Sequence, residues 1–454
     1  MDNLNVLLLT IDTLRYDRLG CYGRLPSLTP NLDRLARSGI RFTQAITGGS
    51  WTQAAFPVLL TSTHASMYGG CLGPLASGRP SPVERLATSG YTTGGFSTSP
   101  LLSKTFQYNR GFDHFDDLIP EEKDPFLRRV KGGQAILRSP ATHFASGLLG
   151  LQTRPARLYV SANVLTARLC EWIDSVAEPF FAWVHYMDVH WPYHLEENLK
   201  DPGEIAQAWR DLKHLHDANW NGATITEQQR DHYIRLYEQA VAYTDAQVGS
   251  LLDYLDRSGL AGNTAIIVVA DHGEEFLEHG RWGHWEDNLY DEILKVPLII
   301  STPDNDRQLV VDRQVRTLDL MPTILEMCGC SKMDGLDGAS FAPLWREYPE
   351  DYQPVVSISE MWRDSWHIIA VRTEAYKYIW DSKQPERPRL YDLKADPGEK
   401  TNLASELPQV VAEMGGYVEI IRARMEQTSP ELAIAEPDLD ADVVRRLRDL
   451  GYLE

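Results

Sequence analysis

The chain has 454 residues, of which 44 are basic and 64 are acidic, giving a formal net charge of −20 at pH 7. Because an acidic surface repels polyanions, this balance argues against nucleic acid or an anionic membrane as a general partner. The length suits one large domain with a smaller one beside it, and an anionic substrate would need a local positive site on such a surface.

The five cysteines show no spacing typical of a disulfide framework or a zinc site, which favours a reducing compartment. The opening segment MDNLNVLLLTIDT lacks the basic start and the long apolar run of a signal peptide. No apolar run approaches the roughly 20 residues of a membrane-spanning helix. We therefore expect a cytoplasmic protein without a membrane partner.

The first part of the sequence predicts strands and helices in alternation. Residues 5–12, NVLLLTID, form a largely apolar run that ends in Asp12 and is typical of a strand buried on both faces. A helix is predicted from about residue 53 to 62, with Pro57 in its first turn, since a proline further along would remove a backbone hydrogen bond. The other elements predicted here are helices over 30–39 and 83–89 and a strand over 91–98.

Residues 119–155 are the least patterned stretch and carry a group of basic side chains in an otherwise acidic chain. These are Arg128, Arg129, Lys131, Arg138 and Arg154. Runs of charge usually lie on solvated faces, so we interpret the stretch as a variable surface insertion. A basic lid that helps to recruit an anion is the alternative interpretation.

Two further buried strands are predicted, and polar side chains follow each of them. Residues 180–187, FFAWVHYM, lead towards His190, and residues 264–271, TAIIVVAD, end in Asp271 and lead into His272. Helices over 158–177 and 226–257 precede these strands, and a strand over 296–301 and a helix over 318–328 follow them.

The pattern changes after about residue 335. Short strands over 355–360, 366–373 and 377–380 with polar connections predict an antiparallel sheet, and residues 408–425 predict a helix. We therefore expect an α/β catalytic domain over residues 1–340 and a C-terminal α+β subdomain with a tail over residues 341–454.

Asp12, Asp271 and His272 each come at the end of a buried strand. Because the carboxyl ends of parallel strands meet at one edge of a sheet, we expect these side chains to converge. One such strand end could equally be a polar turn, but two carboxylates and an imidazole in one place favour a single divalent metal ion. Histidine with carboxylates suits Mn, Zn or Fe better than Ca or Mg.

Five segments, taken in order, resemble the motifs of the sulfatase family of the alkaline-phosphatase superfamily. They are IDTLRYDRLGCYG at 11–23, SWTQAAFPVLLTS at 50–62, HYMDVHWPY at 185–193, ADHGEEFLEHGRWGH at 270–284 and LYDLKADPGEKTNL at 390–403. The resemblance spans almost the whole chain. It implies an α/β fold with a large mixed, mostly parallel sheet sandwiched by helices, and a small C-terminal antiparallel subdomain.

The chain departs from the family pattern at the nucleophile. The resemblance places Thr52 at the position where formylglycine sulfatases have cysteine or serine, with Ala54 and Phe56 in place of the usual proline and arginine. Threonine is not converted to formylglycine. The resemblance implies a metal bound by Asp12, Thr52, Asp271 and His272, a set similar to that of lipoteichoic-acid-synthase-type phosphotransferases.

The same resemblance places His190 and His284 against the substrate. Either imidazole could donate to a substrate oxygen or protonate the leaving group. Metal coordination could activate the Thr52 hydroxyl, and a helix N-terminus would help to bind the anion. The simpler alternatives are an N-cap for Thr52 and satisfied loop histidines. A second ion held by Asp188, His190 and His284 is another alternative.

These features predict a metal-dependent hydrolase that acts on a small anionic ester. A phosphorylated threonine can be hydrolysed by a metal-aided water, whereas a sulfated threonine is harder to release. The sequence therefore favours a phosphate-type ester, either a phosphodiester or a phosphonate monoester. Sulfate-ester hydrolysis, transfer to an acceptor other than water, and a metal-binding relic without catalysis stay open, and the sequence does not predict the oligomeric state.

Overall fold

A computed structural model describes residues 4–118, 159–195, 198–199, 201–305, 308–346, 355–363 and 365–428. Its fourteen strands are β1 Asn5–Ile11, β2 Ile40–Ile46, β3 Thr92–Ser97, β4 His114–Asp117, β5 Phe180–Tyr186, β6 Thr264–Ala270, β7 Glu275–Phe276, β8 Trp282–Gly283, β9 Lys295–Ser301, β10 Leu309–Arg316, β11 Ser357–Arg363, β12 Trp366–Arg372, β13 Tyr376–Asp381 and β14 Arg389–Asp392.

The α-helices of the described residues are α1 Pro30–Arg37, α2 Thr52–Thr61, α3 Pro82–Thr88, α4 Ala162–Ser175, α5 Pro202–Trp220, α6 Glu227–Ser258, α7 Asp291–Leu294, α8 Leu320–Met327, α9 Pro343–Arg346 and α10 Pro408–Thr428. None of them has the length and apolar character needed to cross a membrane. The basic stretch at 119–155 lies outside the described residues.

The large sheet has eight strands in the order β10-β2-β9-β6-β1-β5-β3-β4. Only β9 runs against its neighbours, because it pairs antiparallel with both β6 and β2 while the other neighbouring strands pair in parallel. Every residue of β1, β5 and β6 is buried, as expected for strands covered on both faces. The predicted fold class, a mostly parallel mixed sheet flanked by helices, is confirmed.

The small C-terminal sheet is antiparallel, in the order β11-β12-β13-β14. Helix α10 covers it, with Met414, Val418 and Ile421 in a cluster with Ile369 and Val371. Phe341 and Leu344, by contrast, pack in the core of the large sheet. The domain division at residue 340 stays a prediction.

Helix α2 differs from its prediction. It begins at Thr52, so Pro57 lies in its second turn and not in its first. Proline there cannot donate a backbone hydrogen bond. All ten residues of α2 are buried. Tertiary packing around the helix therefore stabilises the turn that contains Pro57, although the low helix propensity of proline disfavours it.

Strand β11 joins the small sheet to the segment that leads into α2. The backbone N–H of Glu360 donates to Gly48 O at 2.9 Å, and Ser359 Oγ donates to Thr47 O at 2.6 Å. The Glu360 carboxylate is fully buried, 3.0 Å from His367 Nε2 and 3.7 Å from His64 Nδ1. Burial alone would raise the pKa of Glu360, but the His367 hydrogen bond and the charge of both imidazoles lower it to about 2.

This low pKa predicts that acid weakens the contact between β11 and the segment that leads into α2. A folded-state pKa below the ordinary value means that ionised Glu360 stabilises the fold above about pH 4.5, and that this stabilisation is lost as the pH falls towards 2. Between about pH 5 and pH 3 we expect wild-type protein to lose about 2 kcal/mol more unfolding free energy than Glu360→Gln does. Urea unfolding at both pH values measures this difference, and equal losses in the two proteins would contradict it.

Candidate metal centre and active site

The ends of three strands build the centre. Strand β1 lies between β5 and β6, with Ile11 opposite both Tyr186 and Ala270. Asp12 and Asp271 therefore leave the sheet side by side. His272 Nε2 lies 3.4 Å from Asp271 Oδ2 and 4.0 Å from Asp12 Oδ1. The structure thus brings together the three side chains that the sequence placed at one sheet edge, and all three are fully buried.

Thr52 is carried by helix α2. It is the first residue of the helix, after the extended Trp51, and it is fully buried. Phe56 lies one turn further on, on the same side of the helix. Its ring packs 4.9 Å from the ring of His185, whose Nε2 lies 3.2 Å from Asp12 Oδ2. Helix α2 therefore packs beside His185, on the Asp12 side of the centre.

Several buried ligand-type atoms have no hydrogen-bond partner within the part of the chain that the structure describes, and four of them belong to the residues expected to bind a metal. These four are Asp12 Oδ1, Thr52 Oγ1, Asp271 Oδ2 and His272 Nε2. A buried polar atom without a partner costs about 1–3 kcal/mol, so these four atoms need an explanation. Each belongs to one of the four residues expected to bind a metal, and two carboxylates, a hydroxyl and an imidazole fit a divalent cation.

The charges in the centre support the same interpretation. Burial and the nearby charge of Asp12 raise the pKa of Asp271 well above its ordinary value. Burial alone would also raise the pKa of Asp12, but the His185 hydrogen bond and neighbouring imidazole charges lower it. Burial lowers the pKa of His272 to about 3, which keeps the imidazole neutral and its lone pair available to a metal. A cation would relieve the repulsion between the two carboxylates.

His185 is a site residue that the sequence analysis missed. Together with Asp12 and Asp271 it offers ligand atoms that all lie within 4.8 Å of one another. Its ring bridges two groups, with Nε2 next to Asp12 and Nδ1 3.0 Å from Thr10 Oγ1. His185 therefore either binds the metal or orients the carboxylate that does. The available signal was an imidazole in the otherwise apolar strand FFAWVHY.

His190 and His284 lie next to the centre on its outer side. Their ring centroids are 5.0 Å apart, and the His284 ring lies 4.6 Å from that of His272. His190 is fully buried, and its Nδ1 lies 2.5 Å from Trp191 O, which fixes the ring. The side chain of His284 is 7% exposed and so keeps slight contact with solvent.

Glu274 is a second residue to which the sequence analysis gave no role. It is fully buried, and its Oε1 lies 3.3 Å from His284 Nδ1. Burial alone would lower the pKa of His284, but the charge and hydrogen bond of Glu274 raise it. The carboxylate thereby fixes which nitrogen of His284 faces away from it and favours a proton on the ring.

The sequence matches two known family profiles. The profile of the family described as Sulfatase matches residues 4–330, and that of the N-sulphoglucosamine sulphohydrolase C-terminal region matches residues 278–423. The first match covers well over half of the chain. The chain belongs to the sulfatase family. It is accordingly an ester-hydrolysing enzyme of the alkaline-phosphatase-like superfamily.

Two relatives align with most of the chain. This sulfatase-family chain is 26% identical to the multifunctional alkaline phosphatase superfamily protein PehA of Trinickia caryophylli, over 89% of this chain and 92% of PehA. It is 23% identical to an N-acetylglucosamine-6-O-sulfatase of Bacteroides thetaiotaomicron, over 96% and 88% of the two chains.

A solved structure agrees with the fold. The phosphonate monoester hydrolase of Agrobacterium radiobacter superposes with a TM-score of 0.71 at 20% identity, covering 93% of this chain and 96% of that one. At this level of identity the likeness shows the architecture of the sulfatase-family enzyme and not its substrate.

Proposed function

We propose that this sulfatase-family enzyme hydrolyses a phosphate-type ester, a phosphodiester or a phosphonate monoester, with Thr52 as the nucleophile. The observation that carries the proposal is the Thr52 hydroxyl, which is buried at the first residue of α2 without a hydrogen-bond partner among the described residues. A simple N-cap would have used that hydroxyl on the helix backbone.

The metal would be bound by Asp12, Thr52, Asp271 and His272. Mn, Zn or Fe suits this donor set better than Ca or Mg. When bound, such an ion lowers the pKa of the Thr52 hydroxyl and offsets the negative charge of the ester.

The protein groups then carry the reaction in two steps. Ionised Thr52 Oγ1 attacks phosphorus, a Thr52–phosphorus bond forms, and the bond to the leaving oxygen breaks while His284 gives that oxygen a proton. Water then attacks phosphorus, returns a proton to His284, and releases Thr52. Glu274 holds His284 for both proton transfers, and His190 contacts the substrate.

Threonine at this position is the reason for favouring phosphorus over sulfur. A sulfated threonine has no geminal hydroxyl whose collapse could expel sulfate, so its release would be slow. The similarity to PehA, which is named as a multifunctional protein of the alkaline phosphatase superfamily, supports this choice. Similarity to an N-acetylglucosamine-6-O-sulfatase keeps sulfate esters as the second candidate.

A matched screen tests the proposal. Aryl sulfate, phosphate monoester, phosphodiester and phosphonate monoester with the same leaving group would be compared, each with Mn, Zn or Fe. We expect the phosphodiester or the phosphonate monoester to give the highest kcat/KM. A higher value for the sulfate ester would contradict the proposal, and products formed only with an added alcohol acceptor would indicate a transferase.

The two outer histidines give a separate prediction. His190→Ala and His284→Ala should keep the wild-type metal content and lose turnover by roughly a hundredfold or more, because they act on the substrate. His114→Ala, on the exposed end of β4, is the matched control and should keep full activity. Elemental analysis beside steady-state kinetics decides the point, and loss of an ion in either site variant would instead support a second metal held with Asp188.

A further inference from the structure

Three tryptophans, Trp191, Trp220 and Trp285, form an aromatic rim beside the two outer histidines. Trp191 directly follows His190, and Trp285 directly follows His284. Trp220 is the last residue of α5, and its ring centroid lies 6.0 Å from that of Trp191 and 5.7 Å from that of Trp285. One indole from a separate helix thus connects the two histidine–tryptophan pairs.

The rim runs from the buried site to the solvent. Trp191 is 6% exposed, whereas Trp220 is 43% exposed and is the one exposed tryptophan in the described part of the chain. Tryptophan is large and usually mostly buried, so an exposed indole packed on the tryptophans that follow His190 and His284 points to a binding role. His284, the site residue with some exposure, lies directly next to this surface in sequence.

The rings are held in place by the loop that carries His284. Trp285 Nε1 donates to Trp282 O at 3.1 Å, which fixes the indole. Gly283 has a φ of +97°, a conformation that favours glycine, and its Cβ position is 3.7 Å from Asn219 on α5. The end of α5 therefore lies against Gly283, the last residue of β8, which directly precedes His284, and Trp220 keeps a fixed position relative to the site.

We propose that the aromatic rim binds the alcohol half of the ester, and that this alcohol carries a ring with a flat apolar face, as a phenol or a pyranose does. The proposal rests on the proposed function, in which His284 protonates the leaving oxygen. The alcohol then departs on the side of His284, where the rim lies. A flat ring gains stacking contact with Trp220 that a small alkyl alcohol cannot make.

Matched esters of one phosphonate test the proposal, with phenol, a pyranose or ethanol as the alcohol. Trp220→Ala should raise KM roughly 5- to 10-fold for the ring-bearing esters and leave that of the ethyl ester within about twofold. Trp220→Phe keeps a ring and should restore most of the affinity. Trp366→Ala, which removes a partly exposed indole from the C-terminal sheet, is the control and should change none of these values.

The ester that responds identifies the ring. A loss for the phenyl ester alone assigns an aromatic alcohol, a loss for the pyranosyl ester alone assigns a sugar, and a loss for both assigns any flat ring face. No change, or an equal rise in KM that includes the ethyl ester, would overturn the proposal.

A binding measurement tests the role of the aromatic rim separately from the proposed hydrolysis. Thr52→Ala protein titrated calorimetrically with the phenyl ester should bind it 5- to 10-fold more tightly than Thr52→Ala/Trp220→Ala does. That ratio needs no turnover, so it survives if the chemistry assigned to Thr52 is wrong. Equal affinities of the two proteins would overturn the role of the rim even if hydrolysis proceeds as proposed.

Discussion

Replacing Thr52 with alanine is expected to remove roughly 99.9% of kcat or more while the fold and the affinity for substrate stay largely intact. The substitution deletes the atom that would bond to phosphorus, an interaction that matters only in the reaction itself. Thr52→Ser keeps a hydroxyl and should retain part of the activity. Steady-state kinetics and circular dichroism of both variants measure these effects.

Ser50 supplies the matched control, because it is the other hydroxyl near the start of α2. Ser50 Oγ donates to Glu286 O at 2.5 Å, whereas Thr52 Oγ1 has no partner in the described structure. Ser50→Ala should therefore keep most of the turnover. Activity that survives in Thr52→Ala and disappears in Ser50→Ala would move the nucleophile to Ser50.

The covalent intermediate offers an independent measurement. Rapid acid quenching followed by peptide mass spectrometry should find the phosphoryl or phosphonyl group on the peptide that contains Thr52. In resting enzyme the same threonine should have its unmodified mass, since threonine is not converted to formylglycine. A modified resting residue would contradict the mechanism.

Removing the metal is expected to have the second large effect. At a free metal concentration of 100 times Kd, binding to the folded state alone stabilises it by about 2.7 kcal/mol. Wild-type protein should show this rise in stability, and Asp271→Asn should lose it together with all turnover. Chelator-treated Asp271→Asn should be no less stable than chelator-treated wild type, because the repulsion between Asp12 and Asp271 is gone.

His185 refines this prediction. His185→Phe should weaken metal binding about 10- to 100-fold, as changes around metal ligands commonly do. Trp183→Phe removes the 3.0 Å hydrogen bond from the indole to Thr10 Oγ1 without touching Asp12, and it should leave the affinity unchanged. Titration calorimetry compares the variants, and a stoichiometry of two ions per chain would contradict the single-metal centre.

The strands that carry the centre were predictable because most of their residues are apolar. Strands β1, β5 and β6 are covered on both faces, and their largely apolar runs, aliphatic in β1 and β6 and aromatic in β5, are typical of buried strands. Strands β2 and β10 were not predicted. Their sequences, IRFTQAI and LVVDRQVR, mix polar and apolar residues because they lie towards one edge of the sheet.

Helix α5 was missed although its start is marked by a capping box of Asp201 and Glu204. Ile205, Ala208, Leu212 and Leu215 follow at helical spacing, so the sequence contained a signal that the prediction did not use. The roles of His185 and Glu274 depend on partners distant in sequence, such as Asp12, 173 residues before His185. A single sequence shows that such a side chain is polar and buried, and it does not show which group it meets.

The position of β1 has a consequence for how the enzyme is made. Val6 pairs with Phe181 and Asn5 with Thr264, so the first strand to leave the ribosome waits for partners synthesised up to 259 residues later. At roughly 5–20 residues per second this wait is roughly 10 to 50 seconds. The segment NVLLLTI has neither neighbour until β5 is made and only one until β6 is made, and it is prone to self-association during this time. N-terminal fragments that end before Thr264 should therefore need a chaperone to stay in solution.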